Sequence, residues 1–297
     1  MEIAVFSMWG RFGPPIKKET IMHSIIRVCS LLFVAVFILV SGTASAQINF
    51  EKTGYYLSLG DSVPAGEGAL PVTQGFVYRL YNQGVFGPKQ SMDFANIAIK
   101  GVTSEEVLSL QVPQVLCVQP PRIAVAPSVI TLSAGANDFL VYIASQPQLD
   151  PDTIPSVAEE IAGNVEKIIR SLVFGNPFLP EYCAPGGISG ISVLVSNYYR
   201  FNHPYPAVDY LLNLALDSFD ASMQDRIAQI QADIDNTGST AKIGYVDTLS
   251  AMEGQKGLLL IEKRNGFNGP FDFEIHPTNA GHRVIAAEFE KVWKSLQ

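Results

Sequence analysis

Five short, almost wholly apolar runs, each closed by turn-forming residues, restrict most what this chain can become: Tyr55–Leu59, Phe94–Ala98, Val129–Ser133, Ile191–Val195 and Ile243–Val246. A strand that packs on one face alternates apolar with polar residues, whereas a strand covered on both faces is apolar throughout. These runs are of the second kind. Helical periods lie between them, most clearly at Ser156–Leu172, Ala207–Ile234 and Ala280–Ser295. Parallel strands joined by helices cross over right-handedly, so the helices cover both faces of one sheet. No repeat, low-complexity tract or long linker interrupts 47–297, and one α/β domain is expected there. The segment from Phe139 to Gly187, with six prolines around one helix, reads as a cap or as a structural excursion.

Ahead of this domain, Val28–Val40 is nearly all apolar and is preceded by Lys17, Lys18 and Arg27. That run is short for a membrane span, which needs about 20 residues. Ala44-Ser45-Ala46 fits the small-residue pattern at which secretory signals are cut. Residues 1–46 are therefore expected to be a signal peptide cleaved after Ala46, an uncleaved anchor being the alternative. Met22-His23-Ser24 makes a more ordinary start than Met1. The mature chain is then expected outside the cytoplasm, extracellular or periplasmic, with no stable membrane span. Loss of Cys29 with the signal leaves Cys117 and Cys183, which can form one disulfide or stay two buried thiols.

With 47% hydrophobic residues among 297, the chain can bury a sizeable core. Its formal charge of −8 argues against a surface that neutralises phosphates, and no Lys/Arg cluster follows the N-terminal segment, so nucleic acid is not an expected partner. No heptad seam is visible, which leaves a monomer as the default. Zinc, calcium and P-loop signatures are missing, so neither a metal nor a cofactor is called for.

In parallel α/β sheets the chemistry gathers at the carboxyl ends of the strands. After the first run comes Gly60-Asp61-Ser62-Val63-Pro64-Ala65-Gly66-Glu67-Gly68, a hydroxyl in a glycine-rich turn. After the second come Asn96 and then Lys100-Gly101-Val102-Thr103-Ser104, with Gly101 placed to aim a backbone N–H. The third leads into Gly135-Ala136-Asn137-Asp138, whose Asn137 carboxamide can donate to a developing oxyanion without adding charge. Near the C-terminus, His276-Pro277-Thr278 precedes the last helix, with Thr278 as its expected N-cap. Each signal alone is weak; together and in order they point to a serine nucleophile with a histidine base. His203 reads as a loop residue, His282 as surface or packing, and Glu67 and Asp138 as turn ligands.

Through these four motifs the chain resembles the GDSL or SGNH hydrolases over about Tyr55 to the C-terminus. The resemblance implies a flavodoxin-like, three-layer α/β/α sandwich around a five-stranded parallel sheet. It also implies that Ser62 is the nucleophile and His276 the general base, with the N–H groups of Ser62 and Gly101 and the Asn137 side chain as oxyanion hole. The implied activity is cofactor-independent cleavage of carboxylic esters through an acyl-enzyme, on a small-molecule, lipid or acylated-glycan substrate.

The sequence departs from the family at the acid that orients the histidine, usually an Asp three residues before it, where this chain has Phe273. Asp272 and Glu274 flank that position. Glu274 shares the alternation of His276 in an extended approach, whereas Asp272 needs a local bulge. A backbone carbonyl in place of the acid is the third option. Two other functions compete with hydrolysis: acyl transfer on the same site, and a binding protein that has lost turnover.

Overall fold

Burial on both faces shows first in the strands themselves. The computed structural model describes residues 54–117, 126–146, 150–176, 183, 186–200, 205–255, 257–259, 262–263 and 273–297. All of them belong to one contact unit, Phe50–Gln297. The expected signal peptide lies outside the described residues. Strands β1 (Gly54–Gly60), β2 (Met92–Asn96), β3 (Val129–Ser133), β4 (Ser192–Ser196) and β5 (Lys242–Val246) form one parallel sheet in the order β2-β1-β3-β4-β5. Every residue of β1, β3 and β4 is buried, as their unbroken hydropathy requires.

The expected strands sit within two residues of the observed ones. The largest shift is in β2, expected at Phe94–Ala98. As an edge strand it pairs only with β1, and Asp93 is exposed within it. Hydropathy therefore skips its start.

The helices are α1 (Ser62–Ala65), α2 (Phe76–Asn82), α3 (Ser104–Glu106), α4 (Val112–Leu116), α5 (Ala136–Ser145), α6 (Ile154–Phe174), α7 (Pro206–Thr237), α8 (Thr248–Met252) and α9 (Asn279–Ser295). A π-helical segment, Val107–Gln111, joins α3 to α4. Helix α6 buries Ile154, Ala158, Ile161, Ala162, Val165, Ile168, Ile169 and Leu172, an i, i+3/i+4 stripe that packs against α7. Each large aliphatic in it contributes about 1.5–3 kcal/mol by burial. Within the expected cap segment, Ile154–Phe174 is thus core helix. Helix α9 packs against α2, α8 and the β5 side of the sheet, with Phe289 stacked on Phe76 at 4.9 Å. The three-layer α/β/α arrangement follows.

Two short strands, β6 (Glu262–Lys263) and β7 (Phe273–Glu274), form an antiparallel pair that leads the chain toward α9. Cys117, just after α4, is disulfide-bonded to Cys183, 66 residues on. The bonded alternative is the one observed. Among the described residues no helix is long and apolar enough to cross a membrane.

Candidate active site

The chain leaves β1 through a backbone held from outside the sheet. Gly60 donates its N–H to Gln111 Oε1 and accepts from Gln111 Nε2, both at 2.8 Å. Asp61 follows, fully buried, and caps α1 by accepting the Val63 N–H at 3.1 Å. Its other oxygen accepts the hydroxyl of Tyr198, two residues past β4. Burial pushes the Asp61 carboxyl up to about 7, against these two bonds, which favour its ionised form. Ser62 then opens α1, 8% exposed, at the carboxyl end of the sheet.

His276 arrives from the opposite end of the sequence. It stands two residues past β7 and two before Thr278, whose hydroxyl accepts the Ala280 and Gly281 N–H groups at 3.2 Å each. Thr278 is the N-cap of α9, as its side chain predicts. Tyr199 donates its hydroxyl to Ile275 O at 3.1 Å. Adjacent tyrosines after β4 therefore hold the two halves of the site, Tyr198 through Asp61 and Tyr199 through Ile275. His276 Nε2 lies 2.7 Å from Ser62 Oγ, and His276 is only 9% exposed. This bond occupies Nε2 and turns Nδ1 away from the serine. Glu274 ends β7, and Asp272 lies outside the described residues.

The two remaining motifs are bolted to each other. Asn137, in the first turn of α5, donates one N–H of its carboxamide to Val102 O at 2.9 Å. Its neighbour Asp138 accepts the Ser104 backbone N–H at 2.8 Å and hydroxyl at 2.6 Å. Asp138 is thus a brace between the two turns. Gly101, just before Val102, has φ +84°, a conformation that residues other than glycine rarely adopt. Lys100 beside it forms an ion pair with Glu67. Asn96 donates to Pro64 O at 2.8 Å and so supports α1 from below.

Ser62 and Asn137 thus follow β1 and β3, the neighbouring strands at which the strand order reverses, and Gly101 follows β2. Crevices at such switch points are the usual ligand sites of open α/β sheets. The Ser62–His276 pair can pass a hydroxyl proton to the imidazole.

Several contributing residues escaped the sequence. Gln111 carries no signal, because a buried glutamine inside a helical period looks like a surface position. Tyr198 could have been found by reading the second residue after each strand. His282 is fully buried, which corrects its expected surface alternative: Nδ1 accepts the Phe76 N–H at 3.2 Å and Nε2 donates to Glu67 O at 2.9 Å. Burial pulls its imidazole down to about 4. His203 lies outside the described residues.

The fold is shared with solved structures at low identity. A lipase from a goat rumen metagenome is 17% identical, with 81% of this chain and 97% of that one covered and a TM-score of 0.56. Phospholipase A1 from Streptomyces albidoflavus is 18% identical, covering 82% and 99%, at 0.52. An extracellular lipase from Streptomyces rimosus is 17% identical, covering 82% and 100%, also at 0.52. No curated protein matches the sequence. The GDSL-like lipase/acylhydrolase family model matches residues 56–289, most of the described fold and every described member of the site, and the chain belongs to that family.

Proposed function

We propose that this protein hydrolyses carboxylic esters through an acyl-enzyme on Ser62. The observation that carries this reading is the 2.7 Å separation of Ser62 Oγ and His276 Nε2 in a nearly closed site. His276 takes the serine proton as Oγ attacks the ester carbonyl. The oxyanion that forms is held by the N–H groups of Ser62 and Gly101 and the second N–H of Asn137. Collapse expels the alcohol, which takes the proton from His276. Water then repeats the sequence on the acyl-enzyme and frees the acid.

Glu274 is our first choice to orient Nδ1, because it shares the alternation of His276, with Asp272 and a backbone carbonyl as the other options. A cleaved segment 1–46 would deliver the enzyme outside the cytoplasm, and the Cys117–Cys183 bond suits an oxidising compartment. The test is turnover of short- and long-chain p-nitrophenyl esters, with fluorophosphonate labelling of Ser62. Turnover with labelling supports hydrolysis, and the chain-length preference narrows the acyl group. If neither ester is cleaved and Ser62 stays unlabelled, the reading is wrong. Asp272→Ala and Glu274→Ala identify the orienting acid, whose loss lowers kcat about 10⁴-fold.

A further inference from the structure

The loop that leaves the nucleophile helix returns to the histidine. Glu67 donates its N–H to Ser62 O at 3.0 Å, so the loop is tied to the nucleophile itself. Gly68, with φ +83°, lies directly on the base: a Cβ there would sit 2.8 Å from His276 Cβ and 2.4 Å from Pro277 O. Two residues of the first turn of α9 then grip the same loop. Asn279 accepts the Leu70 N–H at 2.9 Å and donates to Leu70 O at 2.7 Å, as a strand partner would. His282 donates to Glu67 O while accepting from Phe76. His276, Asn279 and His282 are spaced by three residues each, so the base and both grips belong to one rigid helix entry.

We propose that Asn279 and His282 are positioning residues that set the distance between Ser62 and His276 by clamping the 66–71 loop onto the start of α9. Neither touches the reacting atoms. Both act on a segment whose one end hydrogen-bonds the nucleophile and whose middle abuts the base. The 80% exposure of Leu70 fits this account: its own burial does not hold it, and the Asn279 carboxamide does. The inference rests on the roles proposed above for Ser62 and His276.

Asn279→Ala removes both bonds to Leu70 at a partly exposed position, so the fold should survive. The expected result is a kcat and a fluorophosphonate labelling rate both reduced about 10- to 100-fold, the scale of a misplacement near 1 Å, with KM unchanged. His282→Gln keeps a donor for Glu67 O and should lose less than His282→Ala. A second readout needs no turnover. In the wild-type chain, Ser62→Ala should shift the His276 ring proton resonance, assigned by its absence from His276→Ala. In the Asn279→Ala background that shift should shrink to less than half. Folded Asn279→Ala with the wild-type labelling rate and the full Ser62-dependent shift would overturn the proposal. A wild-type chain that is neither labelled nor active defeats the esterase reading instead, and the resonance shift still decides the clamp.

Discussion

The two ends of the sheet differ in what their hydrogen-bonded polar groups are paired with. At the amino end lies a cavity of about 450 Å³, bordered by Gly54, Phe86, Met92, Ser128, Lys242 and Trp293. Two of its polar side chains are tied to the backbone: Ser128 bonds the N–H and C=O of Tyr55, and Lys242 bonds Leu296 O. At the carboxyl end, Ser62 and His276 are almost closed off, yet there the hydrogen bonds of Asp61, Tyr198 and Tyr199 aim two reactive groups at one another. Parallel strands end in turns that expose backbone donors and hydroxyls on one side of the fold only. Reactivity follows how polar groups are paired, and spare room marks nothing by itself.

The largest effect that tests this contrast is the loss of either reactive group. Ser62→Ala and His276→Ala should each lower kcat by about 10⁴- to 10⁶-fold, and the double variant should be no worse than the singles, because the pair acts as a unit. Additive losses in a steady-state ester assay would break the assignment. Next comes Asn137→Ala, expected to reduce kcat about 10²–10³-fold with KM little changed. Lys242→Met, at the amino end, should leave kcat where it was; comparable losses from the two variants would erase the distinction between the ends.

The smallest effect concerns pH, because two buried groups near the site oppose one another. Between pH 6.5 and about 4 the unfolded chain protonates His282 and the folded chain does not, so stability contributed by its neutral form is lost as pH falls. Asp61 has the opposite sign: from 3.8 to about 7 the folded chain keeps a proton that the unfolded chain has released, so stability is lost as pH rises. Across its window the His282 effect amounts to roughly 3 kcal/mol and the Asp61 effect to roughly 4 kcal/mol. Thermal melts should therefore show Asp61→Asn losing Tm more steeply than wild type on acidification to pH 4, and His282→Gln less steeply.

Much of this was legible beforehand, and for identifiable reasons. Buried parallel strands write themselves as continuous apolar runs, so β1, β3, β4 and β5 emerged within a residue or so of their ends. The edge strand β2 did not, since half of its surface meets solvent. The meeting of Ser62 and His276 was readable because one follows a strand and the other precedes a capped helix. Gln111, Tyr198 and Asn279 matter through contacts 51 to 209 residues away in sequence, and a local pattern carries no trace of such partners. The orienting acid stayed open at Glu274 and Asp272 because the family spacing is broken at Phe273.

His276 is made 214 residues after Ser62. At about 5–20 residues per second of synthesis, the serine exists for roughly 10–40 s before its base has been polymerised. Under the proposed mechanism, the growing chain lacks the base of Ser62 throughout that interval. On that mechanism competence arrives only when the first turn of α9 docks, so recovered activity in a refolding or translation experiment would time the contact between the two ends of the domain.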